Sequence, residues 1–385
     1  MNVPKLRFKE FADEWQEYVL QNESDVRDGT HDSPKYIDNG YPLITSKNLS
    51  DMGTLDFSNV RYLKKEDFDK INERSKVNIG DILFGMIGTI GKPVRVKRDD
   101  FAIKNVALIK EKGLIKNDYL IHYLHTPIIN KQFTNNQDGG TQKFISLEKI
   151  RKMKINIPSR EEQKKLILFF NLLDKKIQLQ TKKIEALKLF KKGLFDIQLK
   201  INGKESIMFD DFLDEVTEKS SIQNQYPVLS STSKGLFLQS DYFNKQASSE
   251  NNVGYKILKR NQLVLSPQNL WMGNININNI FDIGIVSPSY RVYNIDIKKM
   301  DLNYFNYWIK TPKALYSYLI SSEQGASIVR RNLNIEMFNQ ISLKVPKLEK
   351  QHIIGNKIYQ FNLKINFEEE KLKQLHKLKK ALLQN

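Results

Sequence analysis

Residues 158–196 set the terms for the rest of the chain. Their apolar members Leu166, Phe170, Leu173, Ile177, Ile184, Leu187 and Leu194 fall four and three apart, with polar breaks at Gln180 and Lys191. A repeat near 3.5 residues keeps one stripe turned toward a partner helix, as in the a/d seam of a coiled coil. Pro158 stops any earlier helix, Ser159 suits an N-cap, and Glu161 and Glu162 suit the positive end of the helix dipole.

The partner helix lies in the same chain. A shift of 188 positions carries Pro158, Glu161, Gln163, Lys176 and Ile177 onto Pro346, Glu349, Gln351, Lys364 and Ile365 without a gap. The seam recurs as Ile354, Ile358, Phe361, Ile365, Leu372, Leu375 and Leu382, and its breaks recur at Glu368 and Lys379. Two unrelated amphipathic helices would share a period but not its interruptions. The chain is therefore a duplicated unit.

A length of 385 residues fits two or three domains, each with its own core. Lysine and arginine number 61 against 44 acids, a net charge of +17. Such a field favours polyanions, nucleic acid before anionic membrane, although a merely basic protein would show it too. The absence of cysteine excludes a disulfide framework, a thiolate nucleophile and a cysteine-based zinc site. The first residues form no apolar signal core and no window approaches a membrane span, so a cytoplasmic protein is expected.

The rest of the chain repeats as well. LRFKEFADEW (6–15) returns as IMFDDFLDEV (207–216), matching Phe8, Phe11, Asp13 and Glu14 to Phe209, Phe212, Asp214 and Glu215. Residues 77–96 read as two strands around a Gly-rich turn, with a counterpart at 258–277 in which Ile82, Leu83 and Phe84 align with Leu263, Val264 and Leu265. A third strand is expected at 101–109 and again at 284–292. NDYLIHYLHTP (117–127) and LNYFNYWIKTP (302–312) read as helices, and 200–206 as a linker.

Catalytic constellations do not emerge from the sequence. GMIGTIG (85–91) is neither a dinucleotide fingerprint nor a Walker loop, and reads better as a turn that lets backbone approach a DNA strand. His122 and His125 lack an acid that would complete a metal motif, and a satisfied or solvated helix face explains them better. Residue types suited to nucleic acid are plentiful in the loops, because amides and arginine read base edges while hydroxyls and lysine hold phosphates. In the first copy these are Thr30, His31, Lys35, Thr45, Ser46, Lys47 and Asn48, then Gly88, Thr89 and Lys92, then Lys104, Asn105, Gln142 and Lys143. In the second they are Ser231, Thr232, Lys234, Gln268, Asn269, Trp271 and Asn274, followed by Ser289, Tyr290, Arg291, Arg330 and Arg331.

DGTHDSPKY (28–36), YPLITSKNL (41–49), GDILFGMIGTIGK (80–92) and IPSREEQKKL (157–166) resemble the specificity subunit of type I restriction-modification systems. YPVLSSTSKG, IVSPSYRVY and VPKLEKQ extend the resemblance through the second copy. It implies an α+β fold: two mixed α/β target-recognition domains, 1–157 and 201–345, separated by long helices at 158–200 and 346–385. The helices would form an antiparallel coiled coil with an internal pseudo-twofold repeat. The function implied is a non-catalytic DNA-binding subunit that reads a bipartite, asymmetric site in double-stranded DNA. Its expected partners are two adenine-N6 methyltransferase (modification) subunits and two ATP-dependent restriction subunits, with no membrane. S-adenosylmethionine, ATP and Mg would reside in those partners and no cofactor in this chain. One departure is that the second head lacks a DGTH-type loop and has LSPQNLW where the first has LFGMIGTIG.

Two other readings remain open at this level. A single-chain nucleic-acid enzyme with an unrecognised site would act on DNA alone, given metal or methyl donor. A coiled-coil adaptor without DNA reading would bind no duplex at any salt concentration.

Overall fold

A computed structural model describes residues 4–50, 53–135, 144–202, 205–242, 251–324 and 331–384. Contacts divide the chain into two units: residues 1–181 with 370–385, and residues 182–369. Each unit holds one globular head and a stretch of both long helices.

In the first unit the strand Ile82–Gly85 is buried at every residue and occupies the middle of a four-stranded antiparallel sheet. Its neighbours are Val106–Glu111, which pairs in turn with Ser24–Asp28, and Gly91–Arg95 on the other side. Successive side chains point to opposite faces. Ile82, Phe84, Ala107 and Ile109 thus enter one core with Tyr119 and Leu120, while Leu83, Val94, Val106 and Leu108 enter another around Phe101. A second sheet runs Tyr36–Ile37, Arg61–Leu63, Tyr41–Ile44, Ala102–Ile103, with only the last pair parallel.

The second unit repeats the main sheet strand for strand. Its order is Leu213–Val216, Arg291–Ile295, Leu263–Leu265, Ile275–Ile277, all antiparallel. The alternation recurs: Leu263, Leu265 and Tyr293 face one core, Val264 and Val292 the other. Around it lie two smaller pairs, Leu229–Thr232 with Gly235–Leu238, and Lys256–Lys259 with Ile283–Val286.

Each head closes with a two-stranded antiparallel pair that leads into a helix. Gln16–Val19 pairs with Lys154–Ile157, and Glu205–Met208 with Ser342–Val345. The helices Arg160–Asn202 and Leu348–Gln384 follow. Their entries match in detail: Gln163 Nε2 donates to the Pro158 carbonyl at 3.2 Å, and Gln351 Nε2 to the Pro346 carbonyl at 3.0 Å. Ser159 Oγ accepts from Glu162 N at 3.3 Å, as an N-cap should.

The described seam residues are buried or half-buried throughout both helices. Within the second unit the helices run antiparallel, since Lys183 meets Glu368 at 2.7 Å and Lys191 meets Asn362 at 2.6 Å. Within the first, Lys379 donates to Asp174 at 2.5 Å. The breaks at Glu368, Lys379 and Lys191 are thus cross-helix polar bonds, which resist sliding in a way an unbroken apolar seam does not.

Three expectations need correction. The third strand is two: Ala102–Ile103 belongs to the second sheet and Val106–Glu111 to the first, with Asn105 at φ +54° between them. Likewise Ile283–Val286 and Arg291–Ile295 lie in different sheets. An apolar run buried from both sides conceals a crossing from sheet to sheet. The opening repeat holds in its turn, where Phe11 N donates to Phe8 O at 3.1 Å and Phe212 N to Phe209 O at 3.2 Å, but not in its packing. Phe209 and Phe212 are core residues followed at once by the edge strand, whereas Phe8 and Phe11 are half-buried around the Lys165 ammonium, 4.6 and 6.0 Å from their ring centres. The linker at 200–206 is shorter than expected, because the helix continues through Asn202 and a strand begins at Glu205.

Candidate nucleic-acid interface

In the first head the candidate residues converge where the chain passes between its two sheets. Gly29 allows the crossing, since a Cβ there would stand 2.3 Å from the Ile103 carbonyl oxygen. Thr30 N then donates to Ile103 O at 3.0 Å, and Asn105 N to Thr30 O at 3.2 Å. Lys104 N donates to Ile44 O at 2.9 Å, and Lys104 Nζ to Ser33 Oγ at 2.6 Å. Three separate stretches of sequence are thereby tied at one point.

His31 sits in the middle of this knot. Its Nε2 is 2.8 Å from Asp28 Oδ2 and its Nδ1 is 2.7 Å from Asn105 Oδ1. The other Asp28 oxygen takes the Arg74 guanidinium. Asp28 holds the imidazole pKa above its ordinary value, and the Asn105 oxygen adds to this. Asp28 and Arg74 were not among the expected site residues. Asp28 stands within the DGTH run, while Arg74 comes from a helix 46 residues away with no mark in the sequence.

Ser46 and Asn48 are buried and build the loop from inside. Asn48 Oδ1 accepts from Thr45 N and Oγ1, both at 2.9 Å, and its Nδ2 donates to Asp56 O at 3.0 Å. Ser46 Oγ donates to the Asn105 carbonyl at 3.0 Å. Lys35 and Lys47 are exposed, Thr30 and Thr45 half-buried. The Gly-rich turn exposes Gly88 and half-buries Thr89 and Lys92, the last at φ +47°. Gly85 allows that turn to close, because a Cβ on it would meet the Thr89 carbonyl oxygen at 2.1 Å. Gln142 and Lys143 lie outside the described residues.

The second head gathers its candidates around a buried amide cluster. Ser231 Oγ lies 2.7 Å from Asn274 Oδ1 and also accepts from Asn276 Nδ2 at 2.7 Å. Ser231 and Asn274 are therefore consumed inside the fold. Thr232 and Lys234 lead the adjoining hairpin turn, where Thr232 Oγ1 donates to Gly235 O at 3.1 Å. Gln268 is exposed and Asn269 and Trp271 half-buried on the 3-10 helix Pro267–Met272. Ser289 is exposed, and the Tyr290 hydroxyl reaches Ser231 O at 3.4 Å. Arg291 pairs with Glu215, and Arg331 Nη2 donates to Ser322 O at 2.7 Å. Both arginines thus already have partners. Arg330 lies outside the described residues.

Sequence reading also missed Lys310, whose Nζ donates to Gly273 O at 2.8 Å and pins the end of a helix to the loop after Trp271. Burial lowers its pKa to about 8.

Residues 14–189 match the family model described as the type I restriction modification DNA specificity domain. The MjaX specificity subunit of Methanocaldococcus jannaschii, named for a type I restriction enzyme, is 24% identical over 99% of this chain and 95% of its own length. The crystal structure of a type I restriction-modification S subunit from M. genitalium aligns with a TM-score of 0.59 at 11% identity, covering 99% of this chain and 97% of that one. Residues 14–189 thus carry the type I restriction modification DNA specificity domain, and similarity to specificity subunits runs the length of the chain. The EcoBI specificity subunit of Escherichia coli is 26% identical over a narrower span, 40% of this chain and 34% of its own. A specificity subunit is the component that recognises DNA sequence, and it is non-catalytic within the restriction-modification complex. No helix among the described residues is long and apolar enough to cross a membrane.

Proposed function

We propose that this specificity subunit reads a bipartite, asymmetric duplex site, one half with each head, and leaves the stretch between the halves unread. One observation carries the reading: the two heads share a strand order, yet their loops are built from different chemistry. The first presents a charged knot around His31, the second a hairpin and a 3-10 helix over a buried amide cluster. Two readers of unlike sequences on equivalent frames require that combination. The charge of +17 supplies attraction to the phosphate backbone, which is independent of sequence.

The same reading has the helices recruit two modification subunits and, with them, two ATP-driven restriction subunits in the cytoplasm. Leu179 is 58% exposed and Leu378 49% in the first unit, Phe190 59% and Phe367 61% in the second. The 188-residue shift relates Leu179 to Phe367 and Phe190 to Leu378. Each unit thus carries one member of each pair, away from the seam. Exposed apolar side chains at equivalent places suit two copies of one partner. S-adenosylmethionine, ATP and Mg enter with those partners, so the chain alone neither methylates nor cleaves DNA.

The test is a graft. Residues 17–157 from a relative of different specificity are expected to replace one half of the sequence methylated by the reconstituted complex and leave the other intact. A graft that changes both halves together would refute independent reading.

A further inference from the structure

We infer that His31 is a positioning residue that decides which edge of the Asn105 amide faces DNA, and that its proton makes the first head prefer a base offering hydrogen-bond acceptors. The inference rests on the proposed reading role of the first-head loops and goes one step further, to the polarity of a single contact.

An asparagine amide has an acceptor end and a donor end, and the usual pairing with adenine uses both, at N6 and N7. Here the acceptor end is taken, since Asn105 Oδ1 stands 2.7 Å from His31 Nδ1. Across the ring, Nε2 faces the carboxylate of Asp28 at 2.8 Å. Both ring nitrogens therefore look at acceptors, and only the imidazolium can donate from both at once. The charged groups around the ring favour that state on balance. Asp28 from the neighbouring strand raises the pKa, Arg74 from the helix behind it opposes weakly, and Lys104 is held by Ser33.

With His31 charged, Nδ2 is the end of the amide this network leaves unused. It offers only N–H groups, which suit guanine O6 and N7. When His31 loses its proton, Nδ1 becomes an acceptor and the amide turns over to donate to it. Oδ1 then faces outward and suits an exocyclic amine of cytosine or adenine. The backbone holds the residue in place meanwhile, since Asn105 sits at φ +54°, where asparagine and aspartate are tolerated better than most residues.

The experiment uses the full complex with its modification subunits and a duplex library randomised across the site, and it reads the base preference at every position. Wild type at about pH 6 is expected to favour guanine at one position of one half-site, with the preference moving toward cytosine or adenine at about pH 9. Asn105→Asp keeps the backbone and offers only acceptors, so it should fix the high-pH preference at every pH. His31→Ala should reduce discrimination at that position from about 10-fold or more to within about 3-fold. If Asn105→Asp moves the preference while His31→Ala and pH do not, the role of His31 is overturned. If Asn105→Asp and Asn105→Gly both leave the profile unchanged in an active complex, Asn105 does not read a base, and the underlying assignment falls with it. Should His31→Ala fail to fold, the pH series on wild type decides alone.

Discussion

The two heads meet their long helices at equivalent residues and do so with opposite chemistry. In NDYLIHYLHTP and LNYFNYWIKTP, His122 and His125 occupy the places of Tyr307 and Lys310. His122 stacks on Phe170 with ring centres 5.0 Å apart, and its Nδ1 has no hydrogen-bond partner among the described residues. Burial, followed by the Lys379 ammonium, lowers its pKa to about 4. Asp174 stands 4.0 Å away but already holds Lys379 at 2.5 Å, so it does not restore the imidazolium. In the second head the Tyr307 hydroxyl donates to Asp196 at 3.2 Å and its pKa is raised, chiefly by burial. The head positions correspond, but their helix partners do not, since the 188-residue shift carries Asp174 to Asn362 and Asp196 to Gln384. Which groups titrate there was free to diverge.

The entries to the two helices differ even more. Glu162 is fully buried, takes Arg7 Nε and Nη2 at 2.7 Å each, and accepts from Trp15 Nε1 at 3.1 Å. The 188-residue shift carries it to Lys350, which is exposed. Removing one partner of a buried pair leaves the other uncompensated, at a cost of about 3–5 kcal/mol. Glu162→Ala should destabilise the first unit by that much, and Lys350→Ala the second by no more than about 0.5 kcal/mol. Denaturant-dependent hydrogen exchange, read separately at Val106–Glu111 and Arg291–Ile295, measures both. Similar losses from the two variants would make the helix entries equivalent and end the contrast.

Acid should separate the heads next. His122 and His125 both have pKa values lowered to about 4, so the unfolded chain binds more protons than the folded one between there and about pH 6.5. Their contribution is complete above about pH 6.5 and is lost progressively as the pH falls to about 4. For His122 alone the loss is on the order of 3 kcal/mol. Tyr307 and Lys310, with a raised pKa and one of about 8, do not titrate in that window. The first unit should therefore soften in acid before the second, and His122→Phe should remove much of the difference by the same exchange measurement. Equal acid sensitivity in the two units would show that the imidazoles are not the cause.

The sequence made some levels of this structure legible and hid others. Repetition did most: the breaks at Gln180, Lys191, Glu368 and Lys379 marked the paired helices before any strand could be placed. Ile82, Leu83 and Phe84 aligned correctly with Leu263, Val264 and Leu265 because a central strand buried on both faces stays apolar in both copies. The same rule misled at 101–109, where continuous burial hid a passage between sheets. Glu162 was read as a charge suited to the helix dipole, since nothing local reveals a partner 155 residues away. Candidate loop residues were chosen by type. Type does not tell Asn48, which is spent inside its loop, from Asn105, which sits at the crossing.

The smallest expected effects concern what the heads share. Lys35 and Lys234 are both exposed, each in the loop region of its own head, and neither lies in the His31 or Ser231 network. A lysine that meets only phosphate adds attraction without sequence information, and its loss lowers the slope of log affinity against log salt by about one. Lys35→Ala and Lys234→Ala should therefore weaken DNA binding by the full complex to a similar degree and leave the preferred bases unchanged. Titrations at several salt concentrations, on specific and unrelated duplexes, give slope and specificity together. If Lys35→Ala altered a base preference while Lys234→Ala altered only the slope, the heads would differ in how they hold the backbone as well as in what they read, and the division between a shared electrostatic grip and divergent readout would have to be redrawn.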